Sequence, residues 1–77
     1  MIYRNRWEVE ILTHVAIRAR QRGILGDMIE ATIKGGKLEE FGKNYIKFVK
    51  EYRRGKVVCV GEKKGINKID ILTIEWG

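Results

Sequence analysis

The sequence contains no proline and no serine, and it has a single cysteine and a single histidine. Because Cys59 is the only thiol, the chain can form no internal disulfide and can offer no thiolate cluster to a metal ion. No apolar run approaches the roughly 20 residues of a membrane-spanning helix, and the first six residues are too polar for a signal peptide. We therefore expect a cytoplasmic protein that uses no metal and no other cofactor.

The 77 residues suffice for one domain, which we expect to span residues 1–77. Apolar residues make up 44% of the chain, which is typical of a globular protein. Sixteen basic residues oppose ten acidic ones, for a net charge of +6. This excess favours a polyanionic partner, and nucleic acid is the commonest one for a small basic domain. A heat-adapted composition is the alternative, which explains the amount of charge but not its sign.

The pattern of apolar residues predicts an α+β domain with a short N-terminal strand, two helices and a four-stranded antiparallel β-meander. Residues 7–11 alternate apolar and acidic side chains, which favours a strand over a helix through residues 8–12. The predicted helices span residues 14–22, capped by Thr13, and residues 28–34, opened by Asp27. The strands predicted for the meander span residues 37–41, 45–53, 56–62 and 68–75.

Two of these strands carry more specific expectations. The run from Val57 to Val60 has no polar break, so we predict a central strand with Cys59 as a buried, unreactive thiol. Alternation in the last strand predicts one face for Ile69, Ile71 and Thr73. The other face is then predicted for Asp70, Leu72, Ile74 and Trp76.

The first predicted helix carries a basic stripe. His14, Arg18 and Arg22 are four residues apart and therefore share one helix face, where like charges repel unless an anion lies between them. The positive end of the helix dipole disfavours a protonated His14, and a neutral imidazole can act as a general base. The alternative is a solvated helix face, on which Arg22 gains from the negative C-terminal end of the dipole.

A second basic set lies on the predicted sheet. Lys47 and Tyr52 belong to one strand, and Arg53 and Arg54 follow at its turn. Aromatic residues interleaved with lysine and arginine can stack bases and hold phosphates, so these residues are candidates for RNA binding. Ordinary strand composition is the alternative, since tyrosine and phenylalanine favour sheets in any case.

The stripe also carries a family resemblance, through the pattern His14-x-Ala16-x-Arg18-x-x-x-Arg22-Gly23-Ile24 and the closing run Ile71-Leu72-Thr73-Ile74-Glu75-Trp76. Between Thr13 and Trp76 the chain resembles a family of small bacterial and archaeal domains known only as a domain of unknown function. Val15 departs from that family's usual alanine. The family is similar in element order to the RelE and BrnT ribonuclease toxins.

This resemblance implies a RelE/BrnT-like fold and a metal-independent endoribonuclease, the toxin of a toxin–antitoxin pair, that cleaves RNA by attack of the 2′-OH. His14 would be the acid or base, Arg18 and Arg22 would hold the phosphate, and Lys47, Tyr52 and Thr73 would assist from the sheet. The implied partners are RNA, including ribosome-bound mRNA, an acidic antitoxin and a second copy in a homodimer. A non-catalytic nucleic-acid-binding module and a protein-interaction domain are the two rival functions.

Overall fold

The computed structural model describes residues 2–77, which form two helices and six strands. The helices are α1 (Thr13–Gln21) and α2 (Gly26–Gly35). The strands are β1 (Ile2–Arg4), β2 (Trp7–Ile11), β3 (Lys37–Phe41), β4 (Tyr45–Tyr52), β5 (Gly55–Lys64) and β6 (Lys68–Trp76). The α+β class is confirmed. No helix within residues 2–77 is long and apolar enough to cross a membrane.

The strands form one mixed sheet in the order β1-β2-β6-β5-β4-β3. Most neighbours pair antiparallel, but β2 runs parallel to β6, with Val9 opposite Ile69. The prediction of a lone N-terminal strand and a four-stranded antiparallel meander is therefore wrong. The sheet has six strands and is mixed.

The difference arises at the N-terminal side of the sheet. β1 has only three residues, and Asn5, with φ of 55°, turns the chain back into β2. Asparagine adopts this left-handed conformation more readily than most residues, but a single asparagine is a weak turn signal. The two helices then carry the chain across one face of the sheet to β3. The following strands return side by side until β6 lies next to β2.

The core lies between the helices and one face of the sheet, which we call the helix face. Its fully or almost fully buried apolar residues are Val9, Val15, Ala19, Ile24, Ile29, Ile33, Ile46, Phe48, Val57, Cys59, Ile69, Ile71 and Ile74. The predicted burial of Cys59 is confirmed. Desolvation raises the pKa of its thiol from 9.0 to about 12, so the thiol stays protonated at neutral pH.

A β-bulge in β6 overturns the predicted alternation of that strand. Ile71 pairs with Gly61 and Thr73 pairs with Val60, so Leu72 is an extra residue without an opposite partner. The bulge shifts the alternation by one position. Ile74 therefore joins Ile69 and Ile71 on the buried helix face instead of lying opposite to them.

The end of α1 is fixed by backbone geometry. Gly23, with φ of 82°, follows the last turn, and the N–H of Ile24 donates to the carbonyl of Ala19 at 2.9 Å. This is the Schellman arrangement, in which glycine takes the left-handed conformation at low cost. The predicted cap at Thr13 is wrong, because Thr13 is already helical and the N-cap position is Leu12.

Candidate nucleic-acid interface

A shallow groove runs between α1 and the C-terminal half of β6. Val15, Arg18 and Arg22 line it from the helix, and residues 72–75 line it from the strand. The groove encloses about 90 Å³, which is far below the roughly 300–1,000 Å³ of typical small-molecule sites. It therefore suits one charged group of a larger ligand better than a whole metabolite.

The groove exists because β2 is shorter than β6. β2 pairs only with residues 68–71 of β6, so residues 72–76 have no strand on that side within the described chain. The chain instead continues from β2 into α1, which packs beside this open edge. Nη1 of Arg22 donates to the carbonyl of Ile74 at 3.2 Å. One arginine side chain thus occupies part of the edge where a further strand would pair.

Arg22 also links the groove to a second arginine through Trp76. Nε1 of Trp76 donates to the carbonyl of Arg22 at 2.7 Å. Cζ of Arg54, from the turn between β4 and β5, lies over the Trp76 ring at 5.1 Å from its centroid, which is within cation–π distance. We call Arg18, Arg22 and Arg54 the arginine cluster. Its members come from two distant parts of the sequence and meet at one end of the molecule.

His14 lies on the same helix but is turned away from the groove. Each step of four residues rotates an α-helix position by about 40°, so the stripe drifts by about 80° between His14 and Arg22. Arg22 therefore faces β6 most directly and Arg18 follows. His14 is exposed and does not line the groove. The structure thus brings together the two arginines of the predicted site, with the imidazole one turn away.

The remaining predicted residues are dispersed. Thr73 lines the groove on β6, and Arg53 is exposed in the turn beside Arg54. Lys47 lies on the opposite face of the sheet, with its Nζ 3.9 Å from Oε1 of Glu39.

Tyr52 lies beneath α2, away from the groove. Its hydroxyl donates to the carbonyl of Met28 at 2.9 Å and lies 3.0 Å from Oγ1 of the fully buried Thr32. Of the sheet residues predicted for the site, only Thr73 therefore lines the groove with Arg18 and Arg22. Arg54 adjoins the groove through its contact with Trp76.

Lysine and arginine side chains differ in whether they form ion pairs. All five ion pairs between residues 2–77 use a lysine, and their acidic partners are Glu30, Glu39, Glu40, Glu62 and Glu10. The members of the arginine cluster have no carboxylate within 4.0 Å in that part of the chain. Their charge therefore remains available to an external anion.

The charged side chains are also divided unevenly between the two faces. The helix-free face is the side of the sheet whose residues alternate with the buried ones. Its acidic residues are Glu8, Glu10, Glu39, Glu51, Glu62, Asp70 and Glu75, and its basic residues are Lys37, Lys47, Lys56, Lys64 and Lys68. Seven acids and five lysines give this face a net charge of −2, and the other eleven basic and three acidic residues give the rest of the chain +8. All seven arginines belong to that remainder.

Two residues of the interface were missed by sequence reasoning. Trp76 was assigned only to a strand face, although it donates a hydrogen bond to Arg22 and makes a cation–π contact with Arg54. Glu75 lines the groove beside two arginines, although its register assigns its side chain to the helix-free face. No local signal points to either role, because both depend on the packing of α1 against the end of β6. No group of three or more His, Cys, Asp or Glu side chains among residues 2–77 is placed to hold a metal ion.

In comparisons with known proteins, no family model matches this chain, and neither a curated protein nor a solved structure matches it significantly. The resemblance to the RelE and BrnT toxins therefore stays a prediction. The geometry of the arginine cluster and the distribution of charge are the remaining indications of function.

Proposed function

We propose that this protein binds single-stranded RNA and that Arg18 and Arg22 hold a backbone phosphate in the groove between α1 and β6. The observation that supports this proposal most strongly is the arginine cluster. Its members lack carboxylate partners among residues 2–77, although ten acids are present in the chain. A guanidinium offers several donors in a fixed plane and matches phosphate geometry well. A polyanion supplies the ion-pair partner that these arginines lack among residues 2–77.

The position of the cluster favours a single strand over a duplex. Arg18 and Arg22 line a groove between α1 and β6 instead of projecting from a free helix surface. Helices that read duplex DNA enter the major groove with their contact residues exposed on the outer side. Here the strand edge and Trp76 flank that side of α1. The resemblance to ribonuclease toxins favours RNA over DNA, and a cytoplasmic location belongs to the same proposal.

The test is the affinity of the protein for a short fluorescent single-stranded RNA, measured by anisotropy at low salt. We expect Arg18→Ala to weaken binding about tenfold, because hydrogen bonds to a charged group contribute about 1.5–3 kcal/mol. Arg20→Ala is the matched control, since Arg20 is exposed on the same helix but lines its other side, next to Ile17. Equal losses in the two variants, or no binding by the wild type, would contradict the proposal.

Cleavage of the bound RNA is the second candidate function. The observation in its favour is that His14 is exposed one turn before Arg18, within reach of a ligand that extends beyond the groove. In this hypothesis the protein is a metal-independent endoribonuclease of RelE/BrnT type and the toxin of a toxin–antitoxin pair. His14 then acts as base or acid for attack by the 2′-OH, and an acidic antitoxin covers the arginine cluster.

Incubation with RNA in excess EDTA, with and without ribosomes, distinguishes the two functions. Cleavage predicts products that end in a 2′,3′-cyclic phosphate. It also predicts a loss of about 100-fold or more in His14→Ala, which is the usual contribution of one acid–base group. Intact RNA together with unchanged affinity in His14→Ala would leave RNA binding as the function.

A further inference from the structure

Arg54 and Trp76 form a cation–π pair at the end of the groove between α1 and β6, and Trp76 also packs against the core. Cζ of Arg54 lies over the Trp76 ring at 5.1 Å from its centroid, and Arg54 itself is exposed. We propose that Arg54, supported by Trp76, is a base-stacking subsite that receives the unpaired base next to the phosphate held by Arg18 and Arg22. This inference rests on the proposed function and names the ligand more closely as a strand with unstacked bases.

Trp76 is fixed in a way that orients Arg54. Its Nε1 donates to the carbonyl of Arg22 at 2.7 Å, so the indole is tied to the end of α1. A guanidinium resting on a fixed ring loses fewer conformations on binding than a free side chain does. The Arg54 guanidinium is therefore held over the indole before the ligand arrives.

Gly23 leaves space for the Arg54 guanidinium, and Gly55 lies beside the Trp76 ring at ordinary contact distance. A Cβ on Gly23 would lie 2.8 Å from Nη1 of Arg54, and a Cβ on Gly55 would lie 3.7 Å from Cε3 of Trp76. Both glycines also have positive φ, 82° and 145°, which side chains rarely adopt. Trp76 thus covers one side of the Arg54 guanidinium and Gly23 borders one end of it.

The subsite adjoins the phosphate groove through β6. Arg22 contacts Ile74 with its side chain and Trp76 with its carbonyl. These two strand residues are about 7 Å apart along the chain. A single strand whose phosphate lies between Arg18 and Arg22 therefore has its neighbouring base within reach of Arg54. Unpaired bases commonly stack on arginine planes and aromatic rings in RNA-binding proteins.

A lysine at position 54 would keep the charge but remove the planar surface, since arginine and lysine are not equivalent at stacked sites. This distinction provides the test. The probes are a short oligouridylate and an abasic oligoribonucleotide with the same number of phosphates. We expect the wild type to bind the oligouridylate about tenfold more tightly, because stacking of a base contributes about 1–3 kcal/mol. Arg54→Lys should lose this preference, because the lysine keeps the charge but lacks the planar surface.

Arg53→Lys is the matched control, because Arg53 is in the same turn and is not stacked on Trp76. It should retain the full preference. A second readout is the fluorescence of Trp76 in a Trp7→Phe background, which the oligouridylate should quench more than the abasic strand does.

The outcomes separate the two proposals. Equal affinities of the wild type for both strands overturn the subsite and leave phosphate binding intact. A preference that survives in Arg54→Lys also overturns the subsite. Absence of binding to either strand overturns the proposed function, and the subsite with it.

Discussion

Arginine and lysine have different tasks in this molecule. Five of the nine lysines pair with acids, as Lys68 does with Glu10 at 3.0 Å and Lys34 with Glu30 at 2.6 Å. Arg4 instead donates to the carbonyls of Ile33 and Gly36 at the end of α2. Arg22 likewise donates to a strand carbonyl. Formal charge counts treat all of these residues alike, so the total of +6 predicts a polyanionic partner but not its position.

Cys59 and Tyr52 mark what could be predicted at the residue scale. The burial of Cys59 follows from its apolar neighbours in the sequence, and the structure confirms it. The surroundings of Tyr52 could not be predicted, because Met28 and Thr32 approach it from a helix far away in the chain. The sequence assigned Tyr52 to a strand but gave no indication that α2 lies above it.

Tyr52→Phe should therefore lower stability. The hydroxyls of Tyr52 and Thr32 share the Met28 carbonyl, and removal of one of them weakens a small network around a fully buried threonine. We expect a loss of about 1–2 kcal/mol in the free energy of unfolding, measured by urea denaturation.

The control is Tyr45→Phe, because Tyr45 is 40% exposed and its hydroxyl has no hydrogen-bond partner among residues 2–77. That change should stay within about 0.5 kcal/mol. Equal stability of the two variants would show that the network contributes nothing. Unchanged RNA affinity in Tyr52→Phe would exclude its hydroxyl from the interface.

At the scale of elements, β6 shows why alternation alone misplaced a face. Period-two patterning is a property of regular strands, and the extra residue at Leu72 interrupts it between Ile71 and Ile74. The sequence Ile-Leu-Thr-Ile contains no glycine or proline to signal the bulge. By contrast, both α1 and β2 were predictable, because each combines a clear apolar period with a clear end.

Within β6, Glu75 is a groove residue whose charge disfavours the proposed binding of a phosphate. It follows Ile74 on β6 and lines the groove with Arg18 and Arg22, although its register assigns its side chain to the helix-free face. Its negative charge at the border of the groove opposes a phosphate held by Arg18 and Arg22. Glu75→Gln should therefore strengthen RNA binding about threefold at low salt, and the gain should shrink as salt screens the charge.

Glu51→Gln is the matched control for this prediction. Glu51 is an exposed glutamate on the helix-free face of β4, so its neutralisation changes the net charge equally at a distance from the groove. Its effect on affinity should be within the error of the measurement. If both variants bind RNA more tightly to the same extent, only the total charge matters and the groove is not the binding site.

At the scale of the whole molecule, the least predictable feature was the pairing of β2 with β6. These strands lie near opposite ends of the sequence, and no local pattern specifies a parallel neighbour. The same pairing places α1 beside the free end of β6 and so creates the groove. The arginine stripe was visible in the sequence, but its partner surface was a consequence of topology.

The division of charge gives the final prediction, which concerns the salt dependence of RNA binding. The helix-free face carries a net charge of −2 and every arginine lies elsewhere, so RNA should approach from the arginine side. For a single strand, the slope of log affinity against log salt is about −0.7 for each phosphate neutralised. Arg18→Ala should make that slope shallower by about 0.7, whereas Lys56→Ala, on the helix-free face, should leave it unchanged.

A titration series between low and physiological salt measures both. A slope near zero would reduce the excess charge to a solvated, heat-adapted surface, and equal changes in the two variants would show that RNA does not distinguish the faces.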